Sequence, residues 1–120
     1  ALVTKDDVIG FREFKGAFAE NYVLQSLSTQ STVNLRYWTS NNSAEVDFLL
    51  QYDTHILPIE VKSGKSTSSR SLTLYNAEKH PILRIRYSDK ELKLDDNLLN
   101  IPLYMADWTF ALLDRVIASL

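Results

Sequence analysis

Residues 44–62 read AEVDFLLQYDTHILPIEVK. Apolar and polar positions alternate with period two on either side of Asp53-Thr54, as in two strands that each bury one face around a tight two-residue loop. Such a loop sets Tyr52 opposite His55, so that cross-strand partners have numbers summing to 107. Asp47 then faces Glu60, Glu45 faces Lys62, and Lys62, two positions past Glu60, projects from the same face. The sum has to be odd, because a one-residue slip sends Glu60 to the opposite face from Asp47. Pro58 lacks an N–H and predicts that this strand runs partly at an edge or past a bulge.

Two opposed carboxylates repel, so one is pushed toward protonation or a cation lies between them. An all-oxygen set of this kind suits Mg²⁺ or Mn²⁺, with the backbone carbonyl of Val61 as a further ligand. A third acid comes from residues 15–29 (KGAFAENYVLQSLST), read as a broadly buried amphipathic helix. In it Glu20, Val23, Leu24 and Leu27 follow the i, i+3, i+4, i+7 stripe, while Phe14, Phe18 and Tyr22 recur four apart. A carboxylate on a buried face needs a partner, and packing of the helix on the sheet predicts Glu20 at the edge of the Asp47/Glu60 pair.

Working outward, Thr32–Ser40 (TVNLRYWTS) is rich in β-branched and aromatic residues and ends at Asn41-Asn42-Ser43, a strand followed by a turn. Ser63–Arg70 (SGKSTSSR) reads as a polar loop, and a helix starting at Ser68 or Ser69 ends at His80, before Pro81. Residues 82–88 alternate Leu83, Ile85 and Tyr87 against Arg84 and Arg86, a weaker strand follows at 91–94, and a closing helix covers 104–119. The order α, β, β, β, α, β, β, α gives a mixed α/β domain. Residues 1–13 read as a lead-in from a preceding domain and 14–120 as a single domain. Opening on Ala1, the chain reads as a piece of a longer protein.

With 120 residues, 45% of them apolar, the chain can bury one real core. Thirteen basic against fifteen acidic residues leave a net charge of -2, which excludes a strongly cationic nucleic-acid or lipid binder and restricts any phosphate contact to a local patch. There is no cysteine, hence no disulfide, thiolate nucleophile or sulfur-based zinc site. No apolar run is long enough for a membrane span, and a cytoplasmic, membrane-free location is expected.

Simpler interpretations stand beside these. Glu45, Asp47, Glu60 and Lys62 also fit an exposed cross-strand ladder of ion pairs, and Glu20 a partner for a basic side chain. Gly64-Lys65-Ser66 is not a phosphate loop, because Ile59 stands where its first glycine is required. His55 and His80 fall at a hairpin and a helix end as solvated turn residues. Arg84 and Arg86 fit the solvated side of an edge strand, and Trp38 and Trp108 fit core or interface anchors.

Glu20 in a first helix and Asp47 in a hairpin strand, then twelve intervening residues to Glu60-Val61-Lys62, resemble the PD-(D/E)XK restriction-endonuclease-like superfamily, with Glu45-Val46-Asp47 in place of its Pro-Asp. More narrowly, Gly16-Ala17-Phe18-Ala19-Glu20-Asn21-Tyr22-Val23, Arg36-Tyr37-Trp38, Ala44-Glu45-Val46-Asp47-Phe48 and Ile59-Glu60-Val61-Lys62-Ser63-Gly64 are similar to the C-terminal domain of unknown function of bacterial and archaeal AAA-type ATPases. The similarity spans about residues 14–88. It implies a restriction-endonuclease-like three-layer α/β core, a mixed sheet flanked by helices, and Mg²⁺- or Mn²⁺-dependent hydrolysis of DNA. Asp47, Glu60 and Val61 would hold the metal, Glu20 a second ion or the first, and Lys62 would orient the attacking water and stabilise developing charge. Arg36, Lys65, Arg70, Arg84 and Arg86 would contact phosphates. RecB-like nucleases carry a Gln four residues before a Tyr in the following helix; here Ser71 precedes Tyr75. The competing expectation is a catalytically inactive scaffold that binds DNA or protein and regulates the ATPase.

Overall fold

The computed structural model describes residues 5–30, 35–39, 45–63 and 70–120, and within these the side chains of 16–30, 35–36, 48–63 and 70–120. The elements run α1 (Lys5–Gln30), β1 (Leu35–Thr39), β2 (Glu45–Tyr52), β3 (His55–Val61), α2 (Arg70–Lys79), β4 (Arg84–Ser88), β5 (Lys93–Asp95), β6 (Leu98–Pro102), a 3₁₀ helix (Leu103–Trp108) and α3 (Thr109–Ala118). The six strands form one mixed sheet in the order β1-β2-β3-β4-β6-β5. β2 is antiparallel to both β1 and β3, β3, β4 and β6 run parallel, and β5 returns antiparallel on β6.

The hairpin register is the expected one. Tyr52 pairs with His55 and Phe48 with Ile59, so the sum is 107, and Asp53 supports the two-residue turn with a positive φ of 54°. Such a φ suits Asp better than most residues, because its short polar side chain tolerates the left-handed region. Pro58 is accommodated in a central strand because β3 joins β4 only from Ile59 onward, which leaves Pro58 paired on one side. α2 stops at His80, whose φ of 50° and N–H bond to the Asn76 carbonyl at 3.0 Å close the helix before Pro81.

Alternation divides the sheet into two faces. On one, Leu50, Leu57, Ile59, Val61, Ile85, Tyr87, Leu99 and Ile101 are buried with Ala19, Val23 and Leu27 of α1, Ala106 of the 3₁₀ helix and Leu113 of α3. Gln30 ties this layer together: its Nε2 donates to the Ala106 carbonyl at 2.9 Å, and its Oε1 accepts the N–H of Phe110 at 3.1 Å. That acceptor serves the start of α3, where no side chain of the helix itself caps it. On the other face α2 packs through Leu72 and Tyr75 against Leu49 and Leu98.

Several sequence expectations are corrected. α1 extends back to Lys5, into the segment read as a lead-in. Phe18 is 61% exposed although its strip predicted burial. β6 was not anticipated, since LLNIP has no alternation to mark it; both its faces are covered. The closing helix begins as a 3₁₀ turn and becomes α-helical only at Thr109. β4 lies between β3 and β6 and is not an edge strand.

Candidate functional site

The polar row of the α2 face is set by register. Glu60 pairs with Arg86, Arg86 with Asn100, and Asn100 with Lys93, so four polar side chains from β3, β4, β6 and β5 stand side by side. Glu60 is the most constrained of the charges. It is 5% exposed, its Oε1 lies 3.2 Å from the Lys62 ammonium, and its Oε2 has no hydrogen-bond partner among the described residues. Leaving a buried carboxylate oxygen unmatched is costly, so it marks a place where something else supplies charge or a donor. Lys62 is more accessible, its side chain 35% exposed, and its backbone N–H is anchored to the Tyr87 carbonyl at 2.8 Å. The pair is therefore not the fully solvated ladder of the simpler interpretation.

Asp47 lies on β2, but the recorded β2–β3 pairing ends at Phe48–Ile59, so the expected Asp47–Glu60 pair is not among the register partners. The β1–β2 pairing shifts in the same place: Arg36 pairs with Leu49 but Trp38 with Val46, so β2 carries one extra residue at Asp47–Phe48. A β-bulge of this kind twists the strand locally and re-aims its side chains. The side chains of Glu45 and Asp47 lie outside the described residues, as do Lys65 and the indole of Trp38. Among the described residues no group of three His, Cys, Asp or Glu is placed to hold a metal ion.

Glu20 is half-buried on α1, which covers the opposite face from Glu60. Its helix reaches the site only round the end of β3, where a Cβ on Gly16 would lie 3.6 Å from the Ser63 hydroxyl. An apolar cleft of about 320 Å³ lies there too, lined by Phe18, Ala19, Tyr22, Ser63, Leu103 and Tyr104.

The basic residues part company. Arg36 on β1 and Arg70 at the start of α2 are exposed. Arg84 is buried, with its Nε donating to the Asn97 Oδ1 at 2.9 Å, and is not the solvated contact its alternation suggested. Burial pulls its guanidinium below its ordinary value, nearby Asp96 opposes the shift and Arg86 adds to it. Arg86 is half-buried, its Nε held by the Asn100 Oδ1 at 2.9 Å. His80 is exposed and His55 half-exposed at their turns, and Trp108 is exposed. Asn100 and Ser88 were missed; the signal was a lone Asn inside the apolar run Leu98–Pro102.

No helix among the described residues is long and apolar enough to cross a membrane. No curated protein matches the chain. Residues 15–105, which hold α1's second half, all six strands and α2, match the family described as "Domain of unknown function (DUF4143)", and the chain belongs to that family.

Proposed function

We propose that this is a metal-dependent nuclease domain, a restriction-endonuclease-like fold that hydrolyses DNA phosphodiesters and accompanies an AAA-type ATPase in the full-length protein. The observation that carries the reading is Glu60: a buried carboxylate with one oxygen on Lys62 and the other without a partner among the described residues. A hard cation fits that oxygen. Asp47, one residue before the last recorded β2–β3 pair, and the Val61 carbonyl are the same class of donor, which suits Mg²⁺ or Mn²⁺. When bound, such an ion neutralises phosphate charge and acidifies a coordinated water. The sheet order agrees with this fold, since three antiparallel strands lead through α2 to the parallel β4.

The chain's own groups then divide the labour. Glu60 holds the Lys62 ammonium in place on the rim, where it orients the attacking water and meets the negative charge that develops on the phosphate. Glu20, on the helix that covers the opposite face, would serve at most as an outer carboxylate beyond the strand end. Arg36 and Arg70, both exposed, are left to contact flanking phosphates, together with Lys65, which lies outside the described residues.

The test is incubation of the protein with plasmid and single-stranded DNA in Mg²⁺ or Mn²⁺. Cleavage that Asp47→Ala and Lys62→Ala each abolish is the expected result. The second reading, an inactive scaffold that binds DNA or protein to regulate the ATPase, is favoured by the net charge of -2 and gives binding without cleavage.

A further inference from the structure

We propose that the outer edge of β5 pairs with the β5 edge of a second copy of this chain, the two strands running antiparallel and centred on Leu94. β5 ends the sheet, and among the described residues no strand lies beyond it. Lys93, Leu94 and Asp95 are all exposed, and Leu92 and Leu94 each leave 42% of a large apolar residue in solvent.

The β5–β6 hairpin sets the backbone of this edge. Asp95 pairs with Leu98 across the two-residue turn Asp96-Asn97, and the residues flanking such a turn exchange both of their N–H···O bonds. Bonded and non-bonded pairs alternate along the ladder, so at Leu94–Leu99 the Leu94 N–H and C=O turn outward. Two antiparallel copies can therefore meet with Leu94 opposite Leu94, each donating its N–H to the other's carbonyl. Asn100 holds the approach to the edge in place. Its Nδ2 donates to the carbonyls of Lys90 and Glu91 at 3.1 and 2.9 Å, and its Oδ1 accepts from the Ser88 hydroxyl at 2.6 Å. A segment fixed before association loses less entropy when it pairs.

The charges select the partner. Centring on Leu94 sets Lys93 opposite the partner's Asp95, and Asp95 opposite the partner's Lys93, at the non-hydrogen-bonded positions where side chains come closest. Neither side chain has an ion-pair partner among the described residues. A lysine on an edge strand ordinarily discourages pairing. The order Lys-Leu-Asp makes an exception for one neighbour: it is complementary to itself when antiparallel, and sets like charges side by side when parallel and in register. The contact is two-fold and uses both β5 edges, so assembly stops at a dimer. Being short and charged, it gives a weak, salt-sensitive association.

Sedimentation velocity of the whole chain between about 10 μM and 1 mM is expected to show a monomer–dimer equilibrium at low salt that weakens at high salt. Amide hydrogen exchange should slow with protein concentration at Leu94 and not at Lys93 or Asp95, whose N–H groups already bond to β6. Lys93→Asp and Asp95→Lys, both at exposed positions, each oppose like charges and weaken self-association about tenfold. The two changes in one chain restore it, and the two single variants associate when mixed, because each supplies the charge the other lacks. A monomer throughout at about 1 mM, self-association undiminished in both single variants, or single variants that fail to associate on mixing overturns the proposal.

Discussion

The two faces of the sheet are made from alternate residues of the same strands, and they differ in what they leave unfinished. The α1 face is closed: Leu57, Ile59, Ile85 and Ile101 are fully buried under α1, the 3₁₀ helix and α3. A buried polar contact on this face, among the described residues, is complete. Thr109 donates to the Ala106 carbonyl at 2.7 Å, which leaves its oxygen to accept from the Tyr87 hydroxyl, also at 2.7 Å. The α2 face has a small apolar seat at Leu72 and Tyr75 and then a row of charge and amide groups, in which Glu60 Oε2 has no partner among the described residues. A face whose polar groups are all matched stabilises; a face with an unmatched buried carboxylate gives up stability for something it binds.

Substitutions on each side sharpen that contrast. The largest effect is expected from Ile85→Ala on the closed face, about 2 to 5 kcal/mol lost in urea denaturation from transfer and cavity terms together, with cleavage per folded molecule unchanged. On the open face Glu60→Gln should reverse the pattern. Cleavage in Mg²⁺ falls about a hundredfold or more, near 2.7 kcal/mol of transition-state stabilisation, while the urea midpoint stays put or rises because a buried charge is gone. Equal loss of stability and activity in both variants would erase the distinction between the faces.

Thr109→Val on the closed face leaves the Tyr87 hydroxyl unmatched and is expected to cost about 1 to 3 kcal/mol. The same tyrosine gives a pH test. Burial pushes the Tyr87 phenol well above its ordinary value of 10.0. The folded state therefore keeps a proton that the unfolded chain releases, so stability is fully present below pH 10 and falls as pH rises beyond it toward the folded value. Tyr87→Phe should flatten that alkaline fall, and thermal melts between neutral and strongly alkaline pH read it. The smallest effect belongs to Phe18→Ser, within about 0.5 kcal/mol, because the ring is mostly exposed. A larger loss would mean that the cleft beside Tyr104 and Leu103 contributes to the core.

How much of this was legible follows from periodicity. The β2–β3 hairpin could be read to the residue, because a two-residue loop and strict alternation leave one register. Pro81 likewise fixed the end of α2. β6 was hidden because a parallel strand covered on both faces has no alternation, and LLNIP looks like any short apolar run. Arg84 and Arg86 alternate like a solvated edge, yet β4 sits inside the sheet and their charges turn to Asn97 and Asn100. For the site, Glu60 and Lys62 were legible as neighbours on one face, whereas the side of the sheet that α1 would cover, and so the route of Glu20, was not.

The sequence by itself determined which residues share a strand face, since side-chain direction follows from covalent geometry and a backbone period of two. Only the tertiary structure decided what lies beside and above each face. The insertion of β6 between β4 and β5, the burial of Glu60 to 5% exposure and the clamp of Asn100 on the β4–β5 loop depend on contacts between segments distant in the chain. No local pattern encodes those contacts, because their energy comes from the neighbours that folding supplies.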